Sequence, residues 1–243
     1  MKHPLKRNLI VLLAMAAVLL VPLAAQADLI PVSAADFTGS RSTPDASGVV
    51  AADGWTAANG GFKVTWAITQ EGPTFHYSYT FSNADGSIPT TPDVSHLILE
   101  VSPNFTVQDI LNPSSGPVVG PTLFTAATAP ADQPGDNGGN PNLPKDIFGI
   151  KLDWGASTYS FDSPKSPVWG DFYTKDGKDD GLIATAWNTG IGTDPTLATT
   201  DFTNWIPVPD TTGVVVPLPP TALLMGFGLV GLGLLGWRRK SKN

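Results

Sequence analysis

The chain contains no cysteine. That excludes thiol nucleophiles, disulfide staples and thiolate metal ligands in one step. Glutamate is nearly as scarce, with only Glu71 and Glu100, so a facing carboxylate pair for glycosidic cleavage is hard to nominate. Histidine is limited to His3, His76 and His96. No G-x-S-x-G elbow accompanies them, so a serine–histidine–aspartate triad has no sequence support. Basic residues are also few. Of 14 Lys and Arg, three precede Asp28 and four follow Trp237, leaving seven against all 21 acids in between. A net charge of about −14 in that middle repels phosphate backbones and argues against nucleic acid as a partner. No cofactor is implied and no catalytic set stands out, so the expectation is a protein that is not an enzyme. Long stretches of 3.6-residue period and internal repeats are missing too, which leaves little room for helical or solenoid architecture.

What is present begins with the two ends. Lys2, Lys6 and Arg7 precede the unbroken apolar run "LIVLLAMAAVLLV", Leu9 to Val21, followed by "AAQA". Basic, apolar and small-residue segments in that order form a secretory signal peptide. Its apolar run is 13 residues, short of the roughly 20 that a bilayer span needs. Residues 1–27 are therefore read as a signal peptide, with Ala25 and Ala27 flanking the cut and a signal peptidase as the processing partner.

Residues 28–205 read as one all-β ectodomain. In "GFKVTWAITQEGPTFHYSYTFS", residues 61–82, Phe62, Val64, Trp66 and Ile68 alternate with polar neighbours, as do Phe75, Tyr77, Tyr79 and Phe81. Period two in β-branched and aromatic residues, broken by "QEGPT", predicts a hairpin with one buried face. Further strand-like runs are "SHLILEVS" (95–102), "FTVQDIL" (105–111), "DIFGIKLDW" (146–154), "TYSFD" (158–162), "VWGDFYT" (168–174) and "LIATAWN" (182–188). Many short strands between turn residues predict a β-sandwich or jelly roll. Residues 112–145 hold seven prolines and "GDNGGN", so a long irregular excursion without strands is expected there. Residues 206–215 read as an extended linker.

Two groups of side chains in this middle invite a chemical reading. Asp176, Asp179 and Asp180 in "DFYTKDGKDDG" put several carboxylates on one loop, as a calcium site needs. Aligned as an EF-hand from Asp176, however, Lys178 takes the third ligand position and Trp187 the twelfth, where a bidentate Glu belongs. A solvated β-turn explains the loop equally well. Trp154, Trp169, Phe172, Tyr173 and Trp187 form the second group. Exposed on a sandwich, such rings stack on sugars, and Trp154, Trp169, Tyr173 and Trp187 are the candidate glycan contacts; turned inward, they fill the core.

The chain ends "VPLPPTALLMGFGLVGLGLLGWRRKSKN". From Leu218 to Trp237 there are 20 residues without a charge, about 30 Å as a helix and enough to span a bilayer. Arg238, Arg239 and Lys240 follow, and the positive-inside rule places this basic tip in the cytoplasm and the ectodomain outside. Gly226, Gly228, Gly231, Gly233 and Gly236 make the span a mediocre helix, at up to about 1 kcal/mol each in aqueous hosts. Such a composition suits a transient anchor in the inner membrane better than a permanent one.

A proline motif, a Gly/Leu-rich span and an Arg-rich end at the C-terminus together resemble a PEP-CTERM sorting signal, here residues 216–243. The motif is Val216, Pro217, Leu218, Pro219 and Pro220, with Leu218 where the family carries glutamate. The resemblance implies an exosortase as processing partner, cutting near the prolines. It also implies release to the cell envelope or extracellular matrix of a Gram-negative-type bacterium, in the setting of exopolysaccharide and biofilm formation. The stretches "PVWGDFYTKDG" (167–177) and "AWNTG" (186–190) are similar to recurrent segments in uncharacterised members, and no activity follows from them. The expectation is thus a non-enzymatic envelope or matrix protein. A carbohydrate-binding module built on the aromatics and a polysaccharide hydrolase are the alternatives.

Overall fold

The alternation at 61–82 builds the hairpin it predicts. In the computed structural model, which describes residues 30–43, 48–87, 94–114, 116–127, 139–176 and 184–210, β3 (Lys63–Glu71) and β4 (Thr74–Ser82) pair antiparallel without interruption. Gly72 at φ 61° supplies the left-handed backbone of the tight turn between them. Strands β1 (Thr38–Ser42) and β8 (Thr158–Ser163) complete a four-stranded sheet of order β1-β3-β4-β8. Gly39 on β1 lies against the Trp66 indole, where a Cβ would come within 2.4 Å of the ring.

The other strands are β2 (Val49–Ala52), β5 (Val94–Glu100), β6 (Val118–Phe124), β7 (Ile147–Leu152), β9 (Pro167–Gly170), β10 (Phe172–Asp176), β11 (Thr185–Asn188) and β12 (Ile206–Pro209). Six of them form the sheet β2-β11-β10-β5-β7-β6, and β9 pairs with β12 in a two-stranded ribbon. Every strand pairing is antiparallel. Val64, Trp66 and Tyr77 of the first sheet share one core with Leu97, Leu99 and Ile150 of the second. The fold is all-β and sandwich-like. Each such side chain contributes roughly 1.5–3 kcal/mol on full burial, which makes this shared core the main stabilising term. The tyrosines add polar ties across it: Tyr159 donates to the Val94 carbonyl at 2.7 Å and Tyr79 to that of Pro207 at 2.9 Å.

Four expectations need correction. Strand β6 crosses the proline-rich stretch that predicts none. It is an edge strand, and Gly120 and Pro121 sit at a register shift between Val119 and Thr122, where a missing N–H breaks no ladder. Within "FTVQDIL", Val107–Asp109 form a 3-10 turn instead of a strand, closed by a capping box between Thr106 and Asp109. The run "VWGDFYT" is two strands: β9 and β10 belong to different sheets and meet at Asp171. Finally, Ile206–Pro209, read as the start of a linker, is β12, with Ile206 and Val208 fully buried. The ladder with β9 outweighs its two prolines, which an edge position tolerates.

The excursion also returns as structure. Residues 139–145 return against the outer face of the six-stranded sheet, where Leu143 packs with Ile98, Phe124, Ile147 and Tyr173 of its strands. His96, Lys151 and Lys175 are buried on this face, and Lys175 donates to the Gly139 carbonyl of the returning segment at 3.1 Å. Burial, with Lys151 and Lys175 nearby, holds the His96 imidazole well below its ordinary pKa and therefore neutral.

Among the described residues no helix is long and apolar enough to cross a membrane. The expected signal peptide and residues 211–243, including the expected span and the expected sorting motif, lie outside the described residues.

If Ile206–Pro209 is part of the folded domain, Tyr79→Phe loses a buried hydrogen bond that reaches it. Stability in urea should fall by about 1–2 kcal/mol with the slope of the transition unchanged. An unchanged midpoint would return this segment to the linker.

Candidate functional site

The four candidate glycan contacts do not share a surface. Trp169 and Tyr173 are core residues. Trp169 stacks on Phe202 at 5.1 Å between centroids and 7° between planes, and meets Trp66 edge-on. The Arg41 guanidinium lies 4.9 Å from the Trp66 ring and 5.8 Å from that of Trp169. Tyr173 donates its hydroxyl to the Pro141 carbonyl at 2.7 Å beneath the returning excursion. Trp154 is half-buried, stacked on Tyr159 at 5.1 Å, with its indole N–H on the Pro117 carbonyl. Trp187 is half-buried against the second cluster. With Trp169 and Tyr173 buried and Trp154 and Trp187 only partly exposed, the four do not together form an open aromatic platform.

The calcium expectation is only partly visible. Asp176 is buried at the end of β10, while Asp179 and Asp180 lie outside the described residues. Among the described residues no group of three His, Asp or Glu could hold a metal ion.

Two polar constellations are formed instead. The first is buried at the switch from β9 to β10. Asp171 accepts from the Asn188 amide at 2.6 Å and from the Gly192 N–H at 2.7 Å, and Asn188 in turn accepts from the Phe172 N–H at 2.7 Å. Glu100 accepts from the Asp171 N–H at 2.8 Å. Asp210, fully buried, accepts from the backbone and hydroxyl of Ser102. The stretches "WGDFY" and "AWNTG" thus meet through Asp171 and Asn188. Loss of water on burial, with Asp171 close by, pushes the Glu100 carboxyl up to about 8. Burial likewise lifts Asp171 to about 6, against the opposing hydrogen bonds from Asn188 and Gly192.

The second constellation is open to solvent. On the outer face of the first sheet, His76 Nδ1 lies 2.7 Å from Asp162 Oδ1. Cross-strand register places the two directly opposite. Asn112 donates to the other Asp162 oxygen at 2.7 Å from a left-handed backbone of φ 47°. That bond, and then the bond with His76, hold the Asp162 carboxyl below its ordinary range. Glu71, Thr74 and Leu111 complete the lining of a cleft of about 290 Å³. Sequence reading set His76 on the polar face but paired it with nothing. The Asp162 partnership depends on β8 lying beside β4, which alternation within a strand does not reveal.

Chemically, the cleft offers carboxylate acceptors, an imidazole and an amide beside one exposed leucine. Those groups can hold hydroxyl or amine donors. Comparisons with protein-family models, with curated proteins and with solved structures find no match to this chain.

Raised carboxyl pKa values mean that the folded state binds protons the unfolded chain does not. Stability contributed by Glu100 and Asp171 is therefore fully present below their ordinary values of 4.5 and 3.8. It is lost as pH rises through about 6 and then about 8. The melting temperature should fall between pH 5 and 8.5, and Glu100→Gln should flatten that slope. A wild-type profile that rises with pH would contradict the assignment.

Proposed function

We propose that this chain is an exported protein whose residues 216–243 act as a PEP-CTERM-type sorting signal. A signal peptidase removes residues 1–27. The span at about 218–237 then holds the protein in the inner membrane as a transmembrane helix, with Arg238, Arg239 and Lys240 on the cytoplasmic side. An exosortase processes the chain near Pro217–Pro220, and the sandwich-like domain serves without catalysis in the exopolysaccharide or biofilm matrix.

The observation that carries this reading is the order of the tail: proline motif, Gly/Leu-rich span and basic tip, all placed after Asp210, where the last described residues close on the body of the fold. Asp210 donates its N–H to the Ser166 carbonyl at 3.1 Å. Removal of the motif and span would therefore leave every described strand in the product.

Replacing residues 216–220 with a Gly/Ser segment tests the processing step. Fractionation and intact-mass measurement should find the wild-type protein in the envelope or medium, shortened at both ends. The variant should stay in the membrane with its C-terminus intact. Identical location and mass for the two proteins would refute processing at this motif.

A further inference from the structure

The outer face of the four-stranded sheet carries short hydroxyls where solvation alone would accept long charged side chains. Ser40, Thr65, Thr80 and Thr158 stand side by side in one row across its four strands. The Thr80 and Thr158 hydroxyls are 3.3 Å apart. The next row is Thr38, Ala67, Ser78 and Ser160. Neither row contains a charge, in a segment whose net charge is about −14. Charged groups on this face stand toward the ends of the strands, with Lys63 at one end and Glu71, His76 and Asp162 toward the other. At that second end the face runs into the cleft that holds the His76–Asp162 pair.

We propose that this face and its cleft form one binding surface for a neutral polysaccharide chain. Strand spacing makes the four-strand rows roughly 14 Å across, a width that suits an extended polymer. Each Ser or Thr hydroxyl is both donor and acceptor, so it can exchange reciprocal bonds with sugar hydroxyls in either orientation. In the cleft, Asp162 and Glu71 accept from a sugar with the added strength of a charged acceptor. Leu111, 41% exposed, offers an apolar patch for the C–H face of a ring. Asn112 and His76 hold Asp162 in place before any ligand arrives.

Charge selects the ligand class. An anionic polymer is repelled by Glu71, Asp162 and the acidic surroundings. A cationic one gains more from the acidic remainder of the surface than from the two uncharged rows. Hydroxyl bonds traded with water gain little each, so affinity should grow with chain length. The inference rests on the matrix reading for the ligand class alone, and the site stands or falls independently of sorting.

Native affinity electrophoresis of the full chain in mild detergent tests it, in gels cast with a neutral β-glucan, with dextran or with a polyuronate. Retardation by at least one neutral glycan is expected, and none by polyuronate. Competing oligosaccharides of that glycan should become more effective with length. Ser78→Arg, in the middle of the uncharged rows, should weaken retardation about tenfold at unchanged melting temperature. Leu111→Ala, exposed and safe for folding, should weaken it less. Retardation by polyuronate alone, by none of the three, or undiminished in folded Ser78→Arg would overturn the proposal. A sorting failure would show only in fractionation, and a binding failure only in these gels.

Discussion

Asp171 sits where the chain leaves a two-stranded ribbon and enters the six-stranded sheet, and its carboxylate ties that switch point to β11 and to the loop that follows it. It takes hydrogen bonds from Asn188 and from the Gly192 N–H, while Asn188 also donates to the Asn204 carbonyl at 2.8 Å. The segment from 188 to 205 is thereby fixed at both ends. It presents the Phe202 and Thr203 carbonyls to Arg41 at 2.9 and 2.8 Å, and the Phe202 ring to Trp169. Arg41 belongs to β1, at the edge of the opposite sheet. A single buried acid therefore links both sheets through one loop, and desolvation makes that link sensitive to proton binding.

The same corner gathers the ends of the described chain. Ile30 accepts from the Trp169 N–H and Val32 donates to the Pro167 carbonyl, so residues 30–32 line one edge of β9. Strand β12 takes the other edge. The segments that lead from the expected signal peptide and toward the expected sorting signal thus flank one strand. Processing at either end, on the reading proposed above, leaves that strand and its partners in the product. The uncharged hydroxyl rows lie on a different surface, the outer face of β1, β3, β4 and β8, and the aromatic core separates them from the six-stranded sheet.

How much of this was legible depended on whether the signal was local. Val64, Trp66 and Ile68 alternate with Thr65, Ala67 and Thr69, and that pattern alone gave the hairpin and its polar face. Strands β6 and β12 were hidden by their prolines, because an edge position is a property of the whole sheet and not of the segment. Lysines are seldom fully buried, yet Lys175 is buried with its ammonium on the Gly139 carbonyl, in an excursion whose return the prolines and glycines of the sequence did not signal. The aromatics were ambiguous for the same reason. Trp169 and Tyr173 are equally suited to a core or to a sugar, and only the partners Phe202 and Pro141 decide it. The acid pair at Glu100 and Asp171 could not be nominated, because its members lie far apart in sequence on β5 and at the start of β10.

The dependence of the fold on the Asp171–Asn188 contact is open to a direct measurement. Urea unfolding of Asp171→Ala, Asn188→Ala and the double variant, near neutral pH, gives their coupling energy. A coupling of about 1.5–3 kcal/mol is expected, because either single change strands a buried polar partner that the double change removes. Additive effects, with no coupling beyond the few tenths of a kcal/mol seen for independent sites, would contradict the account.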